Sequence, residues 1–123
     1  MIARIWRTLV DEDRAEEYEI FARTVSLPMF CGQQGYVGVI MARHEGACVV
    51  MSFWESSDDI NRLDASAAYK DTVSKILSMG FIHGEQATEI FDIHLFNFSQ
   101  TAHLPGIGPF AANADENLPQ ETR

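Results

Sequence analysis

The chain has 123 residues, 46% of them hydrophobic, which suits one domain with a substantial core. Eighteen Asp and Glu against nine scattered Lys and Arg leave a net charge of −9, which argues against a nucleic-acid or anionic membrane surface, because both need clustered cations. No apolar run approaches the roughly 20 residues that span a bilayer, no secretory leader opens the chain, and Cys31 and Cys48 match no zinc spacing, so a cytoplasmic protein with reduced, buried thiols is expected.

Ile2 to Leu9 alternates as a strand, with faces Ile2/Arg4/Trp6/Thr8 and Ala3/Ile5/Arg7/Leu9. Asp11-Glu12-Asp13 opens a helix with Asp13 as its cap. Ala15, Tyr18, Phe21, Ala22, Val25 and Met29 form its apolar stripe, and Pro28 predicts a kink or an end at Leu27. A turn through Cys31-Gly32 leads to a second strand, Tyr36 to Arg43, and His44-Glu45-Gly46 turns the chain into a third, Ala47 to Glu55. Ser56-Ser57-Asp58-Asp59 is a hydroxyl cap followed by acids, a helix start. Ile60, Leu63, Tyr69, Val73, Ile76 and Leu77 line that helix to about Met79, with Ser66 placed to interrupt and recap it. Gly80 ends it, the loop Phe81 to Glu85 carries His83, and Gln86 to Phe96 forms a fourth strand. Residues 97–123 lose periodicity and form a C-terminal extension in which Leu104, Ile107 and Phe110 can dock on a surface and the polar end frays. The order β-α-β-β-α-β predicts an α+β, ferredoxin-like subunit: a four-stranded antiparallel sheet with two helices on one face.

The strands are apolar on both faces. The third offers Val49/Met51/Phe53 on one and Cys48/Val50/Trp54 on the other. A sheet with one wet face would alternate. Two helices cover one face only, so the other needs a second copy of the chain or the C-terminal segment; the economical answer is a homodimer.

Three stretches carry a family resemblance: Met1-Ile2-Ala3-Arg4-Ile5-Trp6-Arg7, Leu27-Pro28 followed by Gly35-Tyr36-Val37-Gly38, and Met51-Ser52-Phe53-Trp54-Glu55-Ser56. Through them residues 1–96 resemble the antibiotic biosynthesis monooxygenase superfamily, the dimeric α+β barrels. The resemblance implies a homodimer, a hydrophobic pocket between sheet and helices, and for some members cofactor-free oxidation of polyphenolic anthrones and quinols. Where anthrone oxygenases carry an Asn four residues before the Trp matching Trp54, this chain has Val50. The haem-cleaving branch has an Asn, a Trp and a His where this chain has Arg7, Leu63 and Val73, so that signature is absent.

Several residues are candidates for the site. Trp54 either stacks on a flat aromatic ligand or plugs the second helix onto the sheet. Arg7 is expected to share Trp54's face and either bind a phenolate or carboxylate or pair with a helix acid such as Glu16 or Asp11. Asp92 and His94, two apart on the fourth strand, share a face and form a candidate catalytic pair, a base oriented by a carboxylate; the alternative is a His bonded to a dimer-mate backbone. Loop His83 is placed at the pocket mouth or in solvent, and with Glu85 makes only a weak metal signal. Tyr18, Phe21 and Tyr69 belong to the core or line the cavity. No metal or cofactor is expected. The expected function is a cofactor-independent monooxygenase acting on a small aromatic ligand with O₂. The alternatives are a non-catalytic small-ligand-binding dimer and an isomerase or lyase on a related barrel.

Overall fold

The computed structural model describes residues 1–99 and 104–105; expectations for Ile107, Phe110 and the chain end lie outside the described residues. Four antiparallel strands, β1 (Ile2–Val10), β2 (Tyr36–His44), β3 (Ala47–Trp54) and β4 (Ile82–Asp92), pair in the order β2-β3-β1-β4. One helical run comprises α1 (Ala15–Phe21), a π-helical turn (Ala22–Ser26) and α2 (Leu27–Cys31); the other comprises α3 (Ser57–Ala65) and α4 (Ala67–Ser78). Both runs lie on the same side of the sheet, so the α+β, ferredoxin-like expectation holds. Among the described residues no helix is long and apolar enough to cross a membrane.

Local chemistry explains the boundaries. Ser56 caps α3: its Oγ accepts from the Asp59 N–H and donates to the Asp59 carboxylate at 2.9 Å. Ser66 ends α3 and restarts α4, accepting from the Tyr69 N–H, so the interruption read from the sequence is real. Glu45 and Gly46 adopt φ of 49° and 87°, the pair of positive angles a two-residue hairpin requires. Three expectations need correction. The first cap is Asp11, which accepts from the Asp13 N–H. Of the kink or end expected at Leu27, the end does not occur: the Leu27 N–H bonds to the Ala22 carbonyl five residues back, and this wider turn precedes the proline, which sits at the start of α2 and has no N–H to place. Cys31 is exposed, and only Cys48 is buried.

Strand β4 also runs four residues earlier than expected at both ends. Its partner β1 begins at Ile2, opposite Asp92, and one further bond, from Ile93 N–H to Met1 C=O, ends the pairing. At the other end Ile82 pairs with Val10 and His83 with Leu9, past a bulge between Arg7 and Leu9.

The core fills the space between helices and sheet. At one end Tyr18, Phe21, Ala22, Cys48, Ile76 and Phe81 pack on Val10; at the other Phe30, Val50, Ile60 and Leu63 surround Trp54. On the opposite face of the sheet Ile40 and Phe91 are exposed, but Phe53 is not: Phe96 packs edge-on against it at 5.3 Å, and Phe98 against Phe96 at 5.0 Å. The segment after β4 therefore covers part of the face assigned above mainly to a second copy.

Asp59 yields a pH prediction. The Arg62 guanidinium and then the Ser56 hydroxyl hold its carboxyl below the usual range. A depressed folded-state pKa stabilises above the unfolded value, and the benefit is lost as pH falls through that value toward the folded one. Below about pH 4 the melting temperature of wild type should fall more steeply than that of Asp59→Asn in circular-dichroism melts. Parallel slopes would contradict the linkage.

Candidate functional site

The sheet's register decides which side chains can meet a ligand. Ile2 pairs with Trp54, Arg4 with Ser52 and Trp6 with Val50, and directly opposed residues share a face. The even residues of β1 therefore face the helices. Arg7 is on the other side, where its Nε donates to Glu89 Oε1 at 2.7 Å. This corrects the expectation that Arg7 shares Trp54's face, and its partner is a strand acid rather than Glu16 or Asp11. Arg4 is the cation of β1 on the helix side.

A small cavity of about 50 Å³ lies between sheet and helices. Arg4, Trp6, Met41 and Val50 form its floor; Tyr18, Ser26, Met29 and Phe30 form one wall, and Tyr69, Thr72, Val73 and Ile76 the other. Among the described residues its one charged group is Arg4, only 6% exposed. The Arg4 guanidinium lies 5.1 Å from the centroid of the Tyr69 ring. Its Nη2 donates to the Tyr69 hydroxyl at 2.8 Å and to Asp64 Oδ1 at 3.1 Å. Asp64 is half exposed at the rim. Arg4 Nε is buried and has no partner among the described residues. Across the cavity the Tyr18 hydroxyl accepts from the Cys48 thiol at 3.2 Å. Burial, and secondarily Cys48, pushes the Tyr18 hydroxyl pKa far up, and burial likewise raises that of the Cys48 thiol, so both stay protonated.

The other candidates fall outside this cavity. Trp54 is fully buried, wedged between Phe30 and Tyr36, and its indole N–H already donates to Ser52 Oγ at 2.8 Å. It stands behind the cavity wall as a core plug, with no donor free for a ligand. Phe21 packs edge-on against Phe81. Asp92 is the last residue of β4 and His94 follows it, so the expected shared strand face does not form; both side chains are exposed. His83 lies in β4, not in a loop at the pocket mouth, and shares Leu9's face, away from the helices. Of the residues expected to meet a ligand, the structure brings Tyr18 and Tyr69 together around the cavity. Arg4, Met29, Met41 and Val73 complete it; the available signal was Arg4 itself, a cation in the otherwise largely apolar face Ile2/Arg4/Trp6.

No family model and no curated protein matches the chain. Solved structures do match. SnoaB, a cofactor-independent oxygenase from Streptomyces nogalater, is similar with a TM-score of 0.62 at 18% identity, over 77% of this chain and 94% of SnoaB. An antibiotic biosynthesis monooxygenase gives 0.62 at 10% identity, over 76% of this chain and 98% of its own. A conserved protein from Methanosarcina mazei Go1 gives 0.61 at 12% identity, over 73% and 89%. The fold is that of the antibiotic biosynthesis monooxygenases.

On this antibiotic biosynthesis monooxygenase fold the chain places its own chemistry. Val50, at the position the resemblance gives to an Asn of the anthrone oxygenases, is an apolar piece of the cavity floor. Among the described residues, no His or carboxylate lines the cavity. The lining offers one guanidinium, two phenols, the hydroxyl residues Ser26 and Thr72, and aromatic, thioether and aliphatic surface. Such a lining can bind and stabilise an aromatic anion, and among the described residues it has no proton-accepting side chain of its own to make one.

Proposed function

We propose that the protein is a cofactor-independent monooxygenase that oxidises a small one-ring quinol with O₂ in the cavity beside Arg4. The observation that carries this reading is a buried guanidinium with an unused N–H, set in aromatic and apolar surface on a fold shared with a cofactor-independent oxygenase. A nearby cation favours the ionised form of a phenol, so the quinol binds as its mono-anion and its proton leaves to solvent. The electron-rich ring then reacts with O₂. One oxygen atom forms a C–O bond to a ring carbon; the O–O bond breaks, and the other oxygen leaves as water, taking one hydrogen from the substrate anion and one proton back from solvent. The quinol becomes a hydroxyquinone, and the substrate itself supplies all four electrons, so no external reductant enters. A cavity of about 50 Å³ is a third of the ~150 Å³ that accepts one benzene ring. Binding therefore requires widening, for which the unbranched side chains of Met29 and Met41 are suited; a polycyclic anthrone would demand far more.

Incubation with a one-ring quinol and ¹⁸O₂, without added metal or flavin, should give hydroxyquinone carrying one heavy oxygen, with the other in water. Oxygen consumption no faster than in buffer would overturn the reading. Val50 and the lack of a His or carboxylate among the described residues lining the cavity favour a second reading, a non-catalytic binder of the same ligand class. Its signature is a rise in melting temperature with ligand and no oxygen uptake.

The proposal includes a homodimer across the outer sheet face, where Ile40 and Phe91 remain exposed. Light scattering at micromolar concentration should return twice the 13.8 kDa chain mass; a single-chain mass would assign that face to the segment containing Phe96 and Phe98.

A further inference from the structure

We infer that Arg4 and Tyr69 form an anion-recognition pair, and that the cavity selects one-ring aromatics by an ionised oxygen rather than by shape alone. This rests on the cavity being the ligand site proposed above. Among the described residues, one buried side-chain nitrogen or oxygen lacks a hydrogen-bond partner, and it is Arg4 Nε. A buried guanidinium with an unused donor carries a desolvation cost that an anionic ligand would offset. The rest of the side chain is held in place: Nη2 is committed to Tyr69 and Asp64, and the ring of Tyr69 lies alongside the guanidinium. Asp64 is half exposed at the rim, so it compensates the buried cation only in part.

Tyr69 has a second role in the pair. Its hydroxyl oxygen accepts from Arg4, which leaves its own O–H to donate. Arg4 Nε–H and Tyr69 O–H thus supply two donors to one ligand oxygen, while Trp6, Met29, Phe30 and Met41 supply apolar surface for the ring. A phenolate, enolate or carboxylate oxygen suits two donors beside a cation; a neutral ether or nitro group does not. Arg7 cannot serve this role, since it faces the other side of the sheet and is paired with Glu89.

The test compares 4-nitrophenol, whose ionised form absorbs at longer wavelength than its neutral form, with nitrobenzene, its near-isostere without the hydroxyl. At a pH near the probe's own pKa, binding to wild type should enrich the phenolate band. Nitrobenzene should bind at least about tenfold more weakly. Arg4→Met should abolish both the band enrichment and the preference. Arg4→Lys, which keeps the charge but not the Nε–H, should retain part of the enrichment with weaker binding, and Tyr69→Phe should lower the preference severalfold. Equal affinity for the two probes in wild type would overturn the inference, as would an Arg4→Met protein that still enriches the phenolate. The wild-type comparison decides even if a variant fails to fold. Oxygen uptake is measured separately: a phenolate preference without uptake removes the oxygenase and keeps the anion pair, and uptake without a preference does the reverse.

Discussion

Trp54→Ala should lower the unfolding free energy by about 3–5 kcal/mol, the range for deleting a buried aromatic side chain. The indole is fully buried at the centre of the cluster that joins β3 to both helical runs. Its ring centroid lies 6.3 Å from that of Phe30 and 5.9 Å from that of Tyr36, in tilted and edge-on geometry. Its N–H donates to Ser52 Oγ, which itself reaches the Arg4 carbonyl, so the loss also loosens the segment that carries the cavity's cation. A domain with only about 5–15 kcal/mol in hand would be left marginal. Trp54→Phe keeps most of the buried surface and should cost less than half as much. Urea unfolding of both variants checks this. An alanine variant as stable as the phenylalanine one would mean that Trp54 does not join the elements as described.

Gly35→Ala should cost about 2–5 kcal/mol although it adds one methyl group. Gly35 has φ of +78°, a region costly for a residue with a Cβ. A Cβ there would lie 2.0 Å from Asp59 Cγ, so the carboxylate would have to move. That carboxylate accepts from Ser56 and Arg62 at the start of α3, and the Gly35 carbonyl accepts from the Glu55 N–H at 2.9 Å. The substitution therefore strains the entry to β2 and the cap of α3 together. Gly35→Ala combined with Asp59→Gly should recover part of the loss by removing the obstructing side chain. No recovery in urea unfolding would place the whole cost in the backbone angle.

The periodic parts of the architecture were legible from the residues. Alternation in Ile2–Leu9 and the capping serines at Ser56 and Ser66 each report a local preference and occur as read; the turn expected at His44-Glu45-Gly46 narrows to Glu45-Gly46, because His44 pairs with Ala47. The misplaced features depend on partners distant in sequence. The end of β4 is set by where β1 begins, which nothing near Asp92 or His94 reveals, so that pair was assigned a strand face it does not have. Arg4 and Arg7 are equally cationic on one strand; only the pairing of Ile2 with Trp54 determines which of them faces the helices. Pro28 speaks against continued helix locally, and the π-helical turn before it absorbs the missing donor. Tyr18 and Tyr69 were recognised as possible cavity residues, but their closing around Arg4 needs three elements to be packed. Trp54, part of one of the stretches that carry the family resemblance, is also the largest of the fully buried side chains.

The central claim is that the chemistry belongs to the cavity between sheet and helices, not to the outer sheet face with Arg7, His83 and the exposed Phe91. Val73 lines that cavity from α4 and is half-buried, so a larger side chain there blocks the space without opening the core. The decisive measurement is quinol-dependent oxygen consumption by Val73→Phe beside wild type, with melting temperatures recorded on the same samples. Uptake at the buffer rate from a protein that melts within a few degrees of wild type is the predicted result. Wild-type uptake by the plugged variant would contradict the claim.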